Sequence, residues 1–130
     1  MTESRPSNCP FCDMPVERVI EGNELAFVVA DTFPVSPGHS LVISRRHVED
    51  FFALTETEIV AMNQLLRAAR NRLTEDLHPD GFTVGVNVGM AAGQTISHAH
   101  VHLIPRYVGD VASPVGGIRN VIPGRGQYQV

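Results

Sequence analysis

Cysteine is scarce in this sequence of 130 residues: it has only two, which lie within the segment Cys9-Pro10-Phe11-Cys12. This spacing excludes a disulfide between distant parts of the chain, and it is typical of half a metal site or of a redox pair. Long apolar runs are absent, since none approaches the roughly 18 residues of a membrane-spanning helix. The N-terminal segment is polar and contains two prolines where a secretion signal would be hydrophobic. We therefore expect a cytoplasmic protein with no membrane partner.

Charge of one sign is also limited, because the formal net charge is only −4 at pH 7. The sequence therefore offers no broad basic surface for a nucleic-acid polymer. Internal repeats and low-complexity tracts are lacking as well. The hydrophobic fraction of 43% and the charged fraction of 18% are ordinary for a globular protein, and the length fits one domain. We expect residues 1–8 to be a flexible lead-in and residues 107–130 to be a tail rich in glycine and proline.

Apolar segments between turn residues predict four strands. A turn with Pro34, Pro37 and Gly38 joins the first two strands as an antiparallel hairpin, since proline and glycine favour turns. Between the second and third strands, Thr55 and Glu58 form a capping-box pattern that begins a helix. The predicted strands span residues 24–31, 39–44, 82–88 and 98–105.

Apolar residues recur along the predicted helix at spacings of three and four, which indicates one buried face. The segment His78-Pro79-Asp80-Gly81 ends the helix. One helix between two pairs of strands with short links indicates an α+β fold, with an antiparallel meander sheet and one main helix. The apolar stripe consists of Ile59, Met62, Leu66, Ala69 and Leu73.

Three of the six histidines, His98, His100 and His102, alternate in sequence from the start of the last predicted strand. Alternate residues of a strand share a face and stand roughly 6–7 Å apart, so three imidazoles would line one cleft. Buried, hydrogen-bonded histidines are the alternative, which suits one histidine better than three. The preceding Gly93-Gln94-Thr95 offers neutral donors and backbone N–H groups to an anion. This pattern favours chemistry on a phosphate.

The segment from Gly93 to Arg106 resembles the motif of the histidine triad (HIT) family. The resemblance covers residues 9–106, through Ala26-Phe27, Asp31, Pro37-Gly38-His39, His47 and Asn87. It implies a single HIT-like domain, and a homodimer whose two sheets join. It also implies a nucleotide hydrolase or nucleotidyl transferase in which the middle histidine, His100, attacks the α-phosphate and forms a covalent nucleotidyl-histidine.

The resemblance also implies roles for residues outside the triad. Asp31 corresponds to a position that holds the ribose hydroxyls, and His102 to one that supports the phosphate. His39 corresponds to a histidine that lies behind the triad. The positions implied to contact the phosphates or the leaving group are Asn87, Gln94 and Thr95. Those that line the base pocket are Phe11 and Val29.

A second implied site is a structural zinc held by two cysteines and two histidines, which suits a closed four-ligand site. This would make His98 a metal ligand instead of a catalytic partner. Two buried thiols without metal, or a redox pair, are the alternatives for the cysteines. The implied ligands are Cys9, Cys12, His47 and His98.

Several functions remain open at this point. The three alternating histidines would suit a catalytic metal that activates water, and a slow nucleotide-binding regulator would keep the same pocket. The sequence Pro105-Arg106-Tyr107 favours dinucleoside polyphosphates over nucleoside phosphoramidates. Water or phosphate would serve equally as the second nucleophile, giving hydrolysis or phosphorolysis.

Overall fold

The computed structural model describes residues 8–128 and contains a five-stranded antiparallel sheet with one long helix. The lead-in predicted over residues 1–8 therefore lies almost wholly outside the described residues. The long helix, α1, spans Glu56–Leu77. The strands are β1 (Val19–Gly22), β2 (Ala26–Ala30), β3 (Ser40–Ser44), β4 (Gly81–Gly85) and β5 (His100–Arg106).

The order of strands in the sheet is β1-β2-β3-β5-β4, and all neighbouring strands are antiparallel. The first three strands form a meander, and β5 pairs with β3 so that β4 lies at the outer edge. The predicted α+β class, with an antiparallel sheet and one main helix, is confirmed. The pairing of β3 with β5 places Leu41 beside His102 and Val42 beside Val101.

The prediction that His98 begins the last strand is wrong, because β5 begins at His100. The chain bends at His98, whose N–H donates to the carbonyl oxygen of Ile96 at 2.8 Å. The next N–H, that of Ala99, donates to the carbonyl oxygen of Val48 at 2.6 Å and not to a neighbouring strand. Only two of the three alternating imidazoles therefore share the strand face.

Two other features of the sheet also differ from the prediction: one additional strand and the end of another. Strand β1 was not predicted, because its four residues are half exposed and too few to show a clear alternation. Strand β4 ends at Gly85, opposite His102, although residues 82–88 alternate in the sequence.

The helix begins as its sequence predicts. The Thr55 hydroxyl accepts from the Glu58 N–H at 3.1 Å, and the Glu58 carboxylate accepts from the Thr55 N–H at 2.8 Å. Glu58 also accepts two bonds from Arg46, at 2.8 and 3.0 Å, and these lower the pKa of its carboxyl. His78 ends the helix in a left-handed conformation with φ of +51°. No helix among residues 8–128 has both the length and the apolarity needed to cross a membrane.

The buried stripe of the helix is broader than predicted. Met62, Ala69 and Leu73 are buried as expected, but Leu65 is also buried and Leu66 only partly so. The stripe packs on one face of the sheet, against Ala26, Val28, Val42, Val101 and Leu103. The opposite face packs against the N-terminal segment and carries Phe27, Val29, Leu41 and Ile43. Since β5 alternates, His100 and His102 project from this second face, away from the helix.

Candidate active site and metal cluster

His100 has one ring nitrogen committed to the backbone and the other available. Its Nδ1 lies 2.7 Å from the carbonyl oxygen of His98, so Nδ1 carries the proton and donates it. Nε2 of the neutral ring then keeps its lone pair. Although the residue is only 8% exposed, it lines a cavity of about 420 Å³. Such a ring is suited to attack an electrophile in that cavity.

The cavity beside His100, which we call the nucleotide cavity, has a size typical of small-molecule sites. Five other residues with predicted roles line it, and so do eight that had no predicted role in it. The predicted ones are Phe11, Asp31, Asn87, Thr95 and His102. The others are Pro10, Met14, Arg18, Thr32, Phe33, Leu41, Gly93 and Ile96.

Phe11 is the part of the cavity wall that touches the nucleophile candidate directly. Its ring meets that of His100 edge-on, with centroids 5.0 Å apart, and that of His98 at 5.7 Å. Because Phe11 lies between the two cysteines, the N-terminal segment forms one side of the cavity.

Asp31, His39 and His102 form a second group, the acid–histidine cluster, beside the cavity. The Val35 N–H donates to Nδ1 of His39 at 3.2 Å, so the proton of His39 lies on Nε2. That Nε2–H donates to Nδ1 of His102 at 2.9 Å, which places the proton of His102 on its own Nε2. The chain of hydrogen bonds therefore leaves His102 with an N–H donor on its far side.

Burial keeps both rings of this cluster neutral. It lowers the pKa of His39, although the carboxylate of Asp31, with Oδ2 3.4 Å from Nε2, acts in the opposite direction. It also lowers the pKa of His102, with further lowering from His100 and His39. Near pH 7, His102 is therefore a neutral hydrogen-bond donor and not a cation.

Two residues with predicted roles do not reach the cavity wall. The Gln94 amide holds its own loop, accepting from the Gly89 N–H at 2.9 Å and donating to the carbonyl oxygens of Glu49 and Ile96. Val29 is fully buried in the core beneath the cavity. Their contact with a ligand stays a prediction.

Leu41 and Arg18 line the cavity but were not predicted from the sequence, and only Leu41 has a sequence signal that could have identified it. Leu41 alternates with the helix-facing residues of its strand and pairs with His102, so strand alternation with correct pairing would have identified it. Arg18 carries no such signal. Its guanidinium reaches the cavity edge because it donates to the Ala30 carbonyl and the Thr32 hydroxyl, at 3.2 and 3.0 Å.

Cys9, Cys12, His47 and His98 meet as predicted, and we call them the cysteine–histidine cluster. Nδ1 of His98 lies 3.4 Å from Cys9 Sγ, 3.6 Å from Cys12 Sγ and 3.1 Å from Nδ1 of His47. Cys12 Sγ lies 3.3 Å from the same nitrogen of His47. Four potential ligand atoms therefore surround one point.

These distances fit tetrahedral zinc. Zn–S bonds of about 2.3 Å and Zn–N bonds of about 2.05 Å would separate sulfur from nitrogen by about 3.5 Å, and the two nitrogens by about 3.3 Å. Nε2 of His98 donates to the carbonyl oxygen of Ser44 at 2.6 Å, which leaves the lone pair on Nδ1 facing the cluster. Burial lowers the pKa of His98, which favours the neutral ring that a metal requires.

Comparison with known proteins identifies the family. The sequence pattern of the HIT domain matches residues 15–109. The chain belongs to the HIT family. In this HIT protein the matched region begins before β1 and ends after β5, so it includes all five strands and the helix.

Three relatives illustrate the range of the family. The AP-4-A phosphorylase of Mycobacterium tuberculosis is 33% identical to this HIT protein over 122 residues, which are 88% of this chain and 62% of that protein. A HIT family protein from Bacillus anthracis has a similar structure, with a TM-score of 0.74 and 30% identity, over 95% of this chain and 81% of that one. A zinc-bound histidine triad family protein from Mycobacterium smegmatis gives a TM-score of 0.71 and 33% identity, over 81% and 79% of the two chains.

Proposed function

We propose that this HIT protein hydrolyses dinucleoside polyphosphates at the α-phosphate through a covalent nucleotidyl-His100. The supporting observation is the hydrogen bond from Nδ1 of His100 to the His98 carbonyl, which leaves the Nε2 lone pair for attack. The neighbouring cavity would hold the nucleotide with its α-phosphorus in front of this atom. A nucleophile held at the correct angle contributes much of the rate enhancement by orientation alone.

The reaction then has two steps. Nε2 of His100 forms a bond to phosphorus while the bond from phosphorus to the bridging oxygen breaks, and the nucleoside polyphosphate leaves with that electron pair. Water next attacks the same phosphorus, the N–P bond breaks, and a nucleoside monophosphate is released with a proton to solvent. The His100 ring returns to its neutral form, with Nδ1 still bonded to the carbonyl of His98.

Donors around the cavity would stabilise the charge that develops on the phosphoryl oxygens. His102 and Thr95 both line the cavity. The Nε2–H of His102 and the hydroxyl of Thr95 would donate hydrogen bonds to these oxygens. Asp31 would accept hydrogen bonds from the ribose hydroxyls, since its Oδ1 is already held by the Phe33 N–H at 2.8 Å. Asn87 would contact the leaving group.

The neutral state of His102 favours one class of leaving group. An amine must gain a proton as it leaves, and a neutral imidazole whose Nδ1 already accepts a hydrogen bond is a poor acid. A polyphosphate leaves as a stable anion and needs only hydrogen bonds. The site therefore suits dinucleoside polyphosphates better than nucleoside phosphoramidates.

The cysteine–histidine cluster would bind zinc in a structural role. Zinc there would bind the segment around Cys9 and Cys12 to His98, whose backbone carbonyl orients His100. The relative from M. smegmatis, which is zinc-bound, supports this assignment. A catalytic metal held by the three alternating histidines has no support, because the ring of His98 points into the cysteine–histidine cluster.

Two further expectations belong to this proposal. A homodimer with joined sheets would use the outer edge of β4, which pairs with β5 on its other side only. The cytoplasmic location stays a prediction from the sequence.

Phosphorolysis is the second candidate, because the relative from M. tuberculosis is named an AP-4-A phosphorylase. The first step would be the same. Inorganic phosphate would then replace water, and the released product would be a nucleoside diphosphate.

The test is product analysis with diadenosine tetraphosphate and adenosine 5′-phosphoramidate, each with and without inorganic phosphate. We expect AMP and ATP from the dinucleotide, at a rate that phosphate does not change; ADP that appears only with phosphate would establish phosphorolysis instead. The His100→Asn variant should lose several powers of ten in kcat while it still binds AMP. Normal turnover by that variant would disprove the nucleophile, and tight binding without turnover by the wild type would indicate a regulator.

A further inference from the structure

The nucleotide cavity opens at one end into a longer groove. Side chains at alternate positions of β5, from His100 to Arg106, project from the face opposite the helix and span about 20 Å. The nucleotide cavity lies over His100 and His102. A second cavity of about 1070 Å³ lies over His102, Ile104 and Arg106, and a third of about 490 Å³ lies over Ile104 and Arg106. The second and third cavities share Ile104 and Arg106, and we call these two cavities together the β5 groove.

The β5 groove meets the nucleotide cavity at two residues. His102 and Asn87 line both the nucleotide cavity and the second cavity. In the proposed reaction these residues face the phosphoryl oxygens and the leaving group. A leaving group that passes over His102 therefore enters the groove.

One wall of the groove is the segment 113–128, which we call the C-terminal loop. This loop is folded by its own contacts. The Asn120 amide donates to the carbonyl oxygen of Gly117 at 3.1 Å, and Arg119 donates to that of Arg125 at 3.0 Å. Gly116, with φ of +84°, lies so close to the backbone of Gly126 that a side chain there would overlap it. The wall is therefore formed before any ligand arrives, which reduces the entropy lost on binding.

The C-terminal loop also rests on the sheet. A methyl group added at Gly85 of β4 would lie 3.5 Å from Cδ1 of Ile118, so Ile118 covers the position where β4 has no side chain. Val121 and Ile122 of the loop line the same cavity, and Val35 lines the groove as well. These apolar side chains remain largely exposed, at 72% for Val121 and 59% for Ile122. An apolar, planar group in the groove would cover them.

The charge of the groove indicates whether the end of such a ligand is a charged phosphate or a neutral base. Arg106 donates to both carboxylate oxygens of Asp110, at 2.7 and 2.9 Å. This ion pair lowers the pKa of Asp110 to about 2, so its charge cancels that of Arg106 throughout the neutral range. A terminal phosphate would thus meet a cation that is already paired, whereas a neutral aromatic base would lose nothing by the pairing.

We infer that the β5 groove binds the leaving half of the substrate, and that this half ends in a second nucleoside whose base packs against the C-terminal loop. The inference rests on the proposed function and deepens it, since it makes the second nucleoside a determinant of specificity. A nucleoside triphosphate, which lacks that base, should then be a poorer substrate than a dinucleoside polyphosphate.

Val121→Asp tests the inference, and Val108→Asp is its matched control. Both valines are exposed, but Val108 lines none of the three cavities. We measure kcat/KM for diadenosine tetraphosphate and for adenosine 5′-phosphoramidate. Val121→Asp should lower the value for the dinucleotide about tenfold and leave that for the phosphoramidate unchanged, while Val108→Asp should change neither.

Equal losses on both substrates, or no loss on either, would overturn the inference while the proposed function stands. If the wild type cleaves neither substrate, the proposed function fails, and calorimetry then decides about the groove. Tighter binding of diadenosine tetraphosphate than of AMP, lost in Val121→Asp, would support the groove as a nucleoside site. Equal dissociation constants for the two ligands would refute it.

Discussion

Two clusters of potential metal ligands flank His100, and they differ in where the imidazole protons lie. In the cysteine–histidine cluster, Nε2 of His98 donates to a backbone carbonyl, so its lone pair faces the other three ligand atoms. In the acid–histidine cluster, Nδ1 of His39 accepts from the Val35 N–H, so its proton faces His102. A metal on Nε2 of His39 would force a proton onto Nδ1, where it would oppose that N–H. The proton positions therefore suit a metal in the first cluster and a hydrogen-bond chain in the second, although both are rich in histidine.

The largest expected effect comes from breaking the cysteine–histidine cluster. Cys12→Ser should remove zinc and lower the free energy of unfolding by roughly 4 kcal/mol, the value for zinc a thousandfold above its Kd. Metal analysis and urea unfolding would measure this. A chelator should destabilise the wild type to the level of the variant and leave the variant unchanged. If Cys12→Ser keeps its zinc, the contrast between the clusters is wrong.

The next effect comes from the acid–histidine cluster. His39→Leu removes the donor to Nδ1 of His102 and should lower kcat about 10–100-fold, by analogy with the partners that orient metal-binding histidines. Its zinc content should equal that of the wild type, which separates the two clusters. His39→Gln, whose amide can donate, should lose less activity. Equal kcat for His39→Leu and the wild type would show that the hydrogen-bond chain has no role in turnover.

A smaller effect is expected from Phe11, whose ring contacts His98 of the cysteine–histidine cluster and His100 of the nucleotide cavity. Phe11→Leu should reduce stability by about 1 kcal/mol, the usual contribution of an edge-on ring pair. Phe52→Leu is the control: the ring of Phe52 also meets another edge-on, but it is 81% exposed, whereas Phe11 is buried, so Phe52→Leu should lose less stability. Urea unfolding of both variants would check this, and equal losses would mean that Phe11 has no special contact.

The smallest effect is on the pH dependence of stability. Burial lowers the pKa of His39 and His102 below 6.5, so the unfolded chain binds more protons than the folded one just below that pH. Their contribution is fully present above pH 6.5 and is lost as the pH falls from 6.5 through the lower folded values. Urea unfolding between pH 5.5 and 8 measures the free energy of unfolding at each pH. This free energy should rise less steeply with pH in His39→Gln than in the wild type. His78→Asn, which removes an exposed histidine far from this cluster in the sequence, is the control variant.

Much of the fold was predictable because it depends on local patterns. The capping box of Thr55 and Glu58 and the two strands that contain Val28 and Val42 follow from side-chain type and spacing. The bend at His98, which makes His100 the first residue of the last strand, was not predictable in this way. A bend that sends its N–H to Ile96 is decided by backbone hydrogen bonds that the histidine alternation does not reveal.

The sequence predicted several residues of the candidate site, but it did not predict how far the cavities extend along β5. Asp31, Asn87, Thr95 and His102 reach the cavity with His100, as the motif indicated. The β5 groove was not predicted, because its wall comes from a loop without periodicity. The glycines and prolines of that loop indicated only irregular structure, whereas contacts such as that of Ile118 over Gly85 place it.

By itself, the sequence determined the chemistry that is possible here: two thiols and two imidazoles that suit a metal, and further histidines that suit attack on a phosphate. The tertiary structure decided which ring nitrogen of each histidine carries the proton and which keeps its lone pair. The carbonyl oxygens of His98 and Ser44 and the N–H of Val35 set those positions. Since every residue but proline carries the same backbone groups, only the folded chain shows which of them meets a given ring.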